Sequence, residues 1–156
     1  MPGAGKSTVG VILAKYLSKE FIDTDLLIQI RHNMNLQNIV DMHGYLKLRQ
    51  FEENEILQMN AADSVIATGG SAVYSPKAMQ HLKKNGTIIY LKNDCKELLG
   101  RIHDFEARGL AKKKDQTFDE LCREREPLYI KYGDITVDCK NKNHEDITVE
   151  IVNALK

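Results

Sequence analysis

Neither sign of charge is in excess in this sequence: 22 Lys plus Arg are matched by 22 Asp plus Glu. A balanced chain has no electrostatic reason to take nucleic acid or an anionic membrane as its main partner. Cysteine is scarce and odd in number, with Cys95, Cys122 and Cys139 widely spaced. No metal-ligand spacing joins them, so we read them as reduced thiols of a cytosolic protein. Long apolar runs are missing, which argues against a spanning helix, and no charged-then-apolar signal region precedes the first motif. Internal repeats and low-complexity stretches are missing too. What remains is the profile of an ordinary globular domain: 156 residues, 42% of them apolar and 28% charged. The expectation is one cytoplasmic domain spanning residues 1–156, a monomer whose partners are small molecules.

Helical and strand-like patterns alternate along the chain. Ser7 to Lys19 places Val9, Ile12, Leu13, Tyr16 and Leu17 at helical spacing, and Phe21 to Asp23 reads as a buried strand tip. Residues 26 to 61 read as two or three helices, interrupted at Asn33 and Gly44. Ser64 to Thr68 reads as a strand running into Gly69 and Gly70, and Pro76 opens a short helix. Thr87 to Leu91 reads as a strand and Lys96 to His103 as a helix. The charged stretch 104 to 116, with lysines at 112 to 114, has no apolar period and reads as a mobile loop. Phe118 to Tyr129 is helical, Ile135 to Val137 a strand, and Glu145 to Leu155 an amphipathic helix. Such alternation predicts an α/β fold with a parallel sheet between helices, where ligands bind beyond the carboxyl ends of the strands.

The chain opens M-P-G-A-G-K-S-T, which is the phosphate-loop pattern G-x-x-x-x-G-K-[ST] without its first glycine. Gly3, Ala4 and Gly5 let the backbone curl, so that successive N–H groups meet phosphate oxygens. The helix starting near Ser7 adds the positive end of its dipole. In that pattern Lys6 reaches the β- and γ-phosphates of ATP, and the hydroxyl of Ser7, followed by Thr8, ligates Mg²⁺. The plain alternative is a Gly-rich leader before a helix. A phosphate loop normally hangs between a strand and its helix. We therefore expect about 6 to 10 further residues, one strand's length, ahead of Met1, and a five-strand sheet with four strands in the chain as given.

Further motifs follow in order: Asp23-Thr24-Asp25, Arg49-x-x-Glu52, Ala67-Thr68-Gly69-Gly70, and Glu124-Arg125-Glu126-Pro127-Leu128-Tyr129. In this order and at these spacings the chain resembles the shikimate kinase family of P-loop kinases over essentially its whole length. The resemblance implies a three-layer α/β/α fold like that of nucleoside monophosphate kinases, and transfer of a phosphoryl group from ATP to a hydroxyl of shikimate. It implies that Asp23 helps hold Mg²⁺ through water, and that Asp25 binds and orients or deprotonates the acceptor hydroxyl. Arg49 and Arg125 clamp the substrate carboxylate, Glu52 orients Arg49, and Gly69 and Gly70 lie against the substrate. Arg108 is the lid arginine over the transferring phosphate. The stretch Lys140 to Lys142 approaches the adenine, which makes Lys142 a nucleotide contact.

Phosphoryl transfer asks for these residue types on its own account: positive charge on phosphates, an oriented acceptor and exclusion of water. A planar guanidinium can bond both oxygens of a carboxylate at once. Each residue also has a plainer role open to it. Asp23 or Asp25 could cap a helix, Arg49 with Glu52 could be a surface pair, Arg108 a solvated charge, and Arg125 a helix-surface partner. The sequence also departs from the family pattern. Ser71 stands where a third glycine is usual, Val40 and Leu48 where aromatics are usual, and Gly109 where the lid has proline. Those departures leave a sister kinase for another hydroxy acid open. A nucleotide-binding regulator without turnover, and a nucleoside monophosphate kinase, remain further alternatives.

Overall fold

The computed structural model describes residues 1–101 and 109–156. Arg108 and the start of the expected lid thus lie outside the described residues. Helix α1 (Lys6–Leu17) leads to strand β1 (Glu20–Asp23), then to helices α2 (Thr24–His32), α3 (Leu36–His43) and α4 (Tyr45–Gln58). Strand β2 (Ser64–Ala67), a 3₁₀ turn at Ala72–Tyr74, and helix α5 (Pro76–Asn85) follow. Strand β3 (Ile89–Lys92), helices α6 (Cys95–Arg101) and α7 (Phe118–Tyr132), strand β4 (Ile135–Asp138) and helix α8 (His144–Ala154) complete the order. The breaks expected at Asn33 and Gly44 are where α2 and α3 end. Asn33 takes the left-handed conformation at φ 49°, and its N–H bonds back to Gln29 and Ile30 carbonyls. Helix α7 starts at a capping box in which Thr117 and Glu120 bond each other's backbone N–H.

All four expected strands form, and both pairings are parallel. β1 lies beside β2 in register from Glu20↔Ser64 to Asp23↔Ala67, and β3 lies beside β4 from Ile89↔Ile135 to Lys92↔Asp138. Among the described residues the four strands form two separate parallel pairs. A small apolar space lined by Met1, Val73, Met79, Ile89, Tyr90 and Tyr129 lies in the interior, and no ladder of backbone bonds joins β2 to β3. Helices α1 and α8 cover the strands through Val9, Leu13, Val137, Ile147 and Ile151. A second cluster joins Ile56 of α4 to Ala78 and Met79 of α5, and a third joins Ile28, Ile39 and Leu48 beneath α2 to α4.

The cysteines depart from expectation. Cys95 of α6 and Cys122 of α7 form a disulfide with Cα atoms 6.4 Å apart. Their sequence separation of 27 hid the pairing, which arises only where α6 packs on α7. Cys139 stays outside it, buried with its Sγ 3.5 Å from the Val137 carbonyl oxygen. Among the described residues no helix is long and apolar enough to cross a membrane.

Candidate active site

The glycines at the chain's start and the ends of β1 and β2 open on one cavity of about 560 Å³. Pro2, Gly3, Gly5, Lys6, Ser7 and Thr8 line one part of it. Gly5 sits at φ 83°, a left-handed turn that a side chain would strain, and it leads directly into α1. The first turn of α1 contains no acidic residue and Gly5 offers no capping side chain. Its N–H groups and the dipole's positive end therefore suit an anion. Burial lowers the Lys6 pKa, and Asp25 opposes that shift; its Nζ donates to the Met1 carbonyl at 2.9 Å. Ala4 does not line the cavity. It is buried with Met1, Leu98, Phe118 and Leu121, and so anchors the loop from behind.

Asp23 closes β1 and serves two partners with its two oxygens. Oδ1 accepts from the backbone N–H of Asp25 and Leu26, capping α2, while Oδ2 accepts from the Ser7 hydroxyl at 2.6 Å. The helix-cap role is thus real and leaves the second oxygen beside the phosphate loop. Asp25, one residue into α2, faces the cavity. Burial raises its carboxyl pKa, with Lys6 pulling it down. Thr24, wholly buried between them, accepts a bond from the Gly69 N–H at 3.1 Å and so ties the end of β1 to the turn after β2.

Gly69 has no room for a side chain, since a Cβ there would overlap both Glu52 Oε1 and Asp25 Oδ1. Its neighbour Gly70 lies under α7: a Cβ would come within 2.8 Å of Arg125 Nη1, and its carbonyl accepts from the Tyr129 hydroxyl at 2.7 Å. Ser71 turns its hydroxyl to Glu52 Oε2. This corrects the expected pairing of Glu52 with Arg49. Glu52 points into the buried interior, whereas Arg49 leaves α4 toward Tyr45 and Tyr74, its guanidinium 5.0 and 3.6 Å from their ring centres.

Arg49 and Arg125 nonetheless meet. Arg49 Nη2 and Arg125 Nη2 donate to the same oxygen, the Ala111 carbonyl, at 3.0 and 2.9 Å. Arg125 is 1% exposed, and its Nε also bonds the Tyr74 hydroxyl at 3.3 Å. Arg125 lines the 560 Å³ cavity with Asp25; Arg49 lines a neighbouring one. The described part of the expected mobile loop is fastened, with Gly109 N–H bonded to Gln37 Oε1 at 2.8 Å and Ala111 buried against α3 and α4. Lys142 is turned away to Glu150 of α8, 2.5 Å distant, and does not line the cavity; His144 does. Of the aliphatic departures, Leu48 lines the cavity and Val40 packs behind it. Sequence reasoning missed the parts played by Tyr74, Tyr129, Thr24 and the Ala111 carbonyl. Tyr129 had a signal, for it stands four residues after Arg125 and so shares its helix face.

The model of the shikimate kinase family matches residues 2–156. A shikimate kinase of Caldanaerobacter subterraneus subsp. tengcongensis is 36% identical over 155 residues, covering 97% of this chain and 90% of its own. One of Hahella chejuensis is 33% identical, covering 99% and 82%. Among solved structures, the shikimate kinase of Acinetobacter baumannii in complex with shikimate superposes with a TM-score of 0.90 at 27% identity, over 99% of this chain and 88% of that one. That of Aquifex aeolicus gives 0.83 at 29% identity, over 98% and 90%. The architecture is the α/β P-loop kinase fold, and the chain belongs to the shikimate kinase family.

Proposed function

We propose that this protein transfers the γ-phosphoryl group of ATP, with Mg²⁺, to a hydroxyl of shikimate. One observation carries the reading. Two arginines converge on a single oxygen, at 3.0 and 2.9 Å, next to a cavity that also holds a phosphate loop and the carboxylate of Asp25. A substrate carboxylate oxygen in the seat now taken by the Ala111 carbonyl would receive the same two bonds. The first-turn N–H groups of α1, without acidic neighbours, fit a polyphosphate, and the adjoining Ser7 hydroxyl and Asp23 carboxylate fit a hard cation that keeps waters among its ligands. Bound Mg-ATP supplies the phosphoryl group and the metal's positive charge.

The chain's own groups then do the following. Gly3, Gly5 and Thr8, with the backbone around them, hold the phosphates, and Lys6 supplies charge to the transferring group. Asp25 accepts the proton of the acceptor hydroxyl as the oxygen attacks. Arg49 and Arg125 fix the carboxylate so that this hydroxyl stands in line, and Gly69 and Gly70 form the wall against the ring. Arg108 closes over the phosphate from the lid, excluding water.

Ser71 had left room for a different acceptor, but its hydroxyl is engaged by Glu52, which supports shikimate rather than a differently decorated acid. The test is coupled ADP release with Mg-ATP and a panel of shikimate, other hydroxy acids, AMP and CMP. A rate that depends on shikimate is expected. Turnover confined to another acceptor would replace the substrate, and ATP binding without any acceptor-dependent rate would make the protein a regulator.

A further inference from the structure

Among the described residues, Glu52 Oε1 is the one buried side-chain oxygen or nitrogen that has no hydrogen-bond partner. Leaving a charged carboxylate oxygen so would cost several kcal/mol, on the order of the penalty for an unpaired buried ion. The oxygen is not stranded in apolar packing, because Glu52 lines the reaction cavity together with Asp25, Lys6 and Arg125. Its sister oxygen, Oε2, is held by the Ser71 hydroxyl. Oε1 and Asp25 Oδ1 both crowd the one point where a Gly69 Cβ would stand, so the two carboxyl groups face each other across a gap that only glycine leaves open.

We propose that Glu52 is a positioning residue for phosphoryl transfer: anchored by Ser71, it donates a hydrogen bond from Oε1 to Asp25 and so holds that carboxylate on the acceptor hydroxyl. The inference rests on the kinase reading above and adds to it a residue, with its anchor, that does not touch the reacting atoms. Two carboxyl groups this close are stable only if one keeps its proton, since two adjacent negative charges repel strongly. Glu52 is the one that keeps it. Burial first, and the neighbouring Asp25 charge second, push its carboxyl up to about 7, while Ser71, Arg125 and Lys6 pull the other way. The groups facing it are therefore Asp25 from α2, Lys6 from α1, Arg125 and Tyr129 from α7, and Ser71 from the turn after β2. In the transfer the acceptor O–H proton passes to Asp25, the acceptor oxygen bonds the γ-phosphorus, and the bond to the leaving ADP oxygen breaks. The proton on Glu52 stays where it is.

The test is kcat for shikimate against pH, at saturating Mg-ATP, in wild type, Glu52→Gln and Ser71→Ala. Wild type should lose turnover through pH 7 as Glu52 ionises, by about tenfold one unit above the midpoint. Glutamine donates at every pH, so E52Q should show no such fall between pH 6 and 8.5. In S71A the fall should move to higher pH, because the hydroxyl that stabilised the ionised form is gone. An E52Q profile that keeps the wild-type fall would overturn the proposal, as would S71A and wild type falling together. So would an E52Q enzyme whose shikimate KM rises while its kcat profile stays wild type, which would return Glu52 to orienting Arg49. If E52Q does not fold, the S71A shift decides alone. Failure of the kinase reading is distinguishable, since wild type would then show no shikimate-dependent rate at any pH.

Discussion

Replacing Arg125 with lysine tests the clamp most directly. In the structure this guanidinium is 1% exposed, donates to the Ala111 carbonyl from Nη2, bonds Tyr74 from Nε and lies against Gly70 with Nη1. Lysine keeps the charge but puts it on one atom, which cannot reach a carboxylate and the Tyr74 hydroxyl together. One charge-assisted hydrogen bond is lost, worth about 2 kcal/mol in such a buried setting. That corresponds to a rise of about thirtyfold in the KM for shikimate. kcat should fall less, because the carboxylate contact exists before and during transfer alike. Coupled ADP release at saturating ATP gives both constants, and the methyl ester of shikimate supplies the second arm. With the carboxylate charge removed, R125K should cost little more, so the two losses should not add. A KM within about threefold of wild type, or an ester penalty equal in both enzymes, would refute the clamp.

Other expectations follow from the same geometry. Asp25→Asn should leave ATP affinity near wild type, as measured by calorimetry, and cut turnover by about 10²- to 10⁴-fold; normal turnover would remove Asp25 as the base. Gly69→Ala forces a methyl between the Glu52 and Asp25 carboxyl groups and should cost about a hundredfold in kcat through their displacement. An active G69A enzyme would mean the acceptor does not rely on that corner. The Cys95–Cys122 bridge closes a loop of 27 residues, so reduction should lower stability by about 3.5 kcal/mol on the chain-entropy account. In a thermal melt that is about 10 °C for a domain of this size. Cys122→Ser should melt low whether or not reductant is present, and an unchanged melt for reduced wild type would dismiss the bridge as a stabiliser.

Much of this protein is legible locally because the chemistry is local. The curled loop and its lysine lie within eight residues, and a glycine at φ 83° before an uncapped helix needs only its neighbours to specify it. The order of Asp23, Asp25, Gly69, Gly70 and Arg125 along the chain places each near an end of a strand or on a helix face, so their gathering follows from an α/β alternation. Breaks at Asn33 and Gly44 were readable for the same reason, since backbone conformation punishes most other residues there.

What the tertiary structure decided are the choices between partners that sequence spacing leaves equal. Arg49 and Glu52 are neighbours on one helix, which permits a pair. The burial of Glu52 beside Ser71, and the aromatic rings beside Arg49, pull them apart. The carbonyl on which both arginines meet belongs to Ala111, 62 residues from Arg49, and a backbone oxygen has no signature in sequence. The same holds for the disulfide, which depends on how α6 packs on α7, something a one-dimensional pattern does not encode. Residue types thus determined which chemistry this chain can perform, and packing alone determined which groups face one another to perform it, because close contact in a folded core is made mainly between segments remote in the chain.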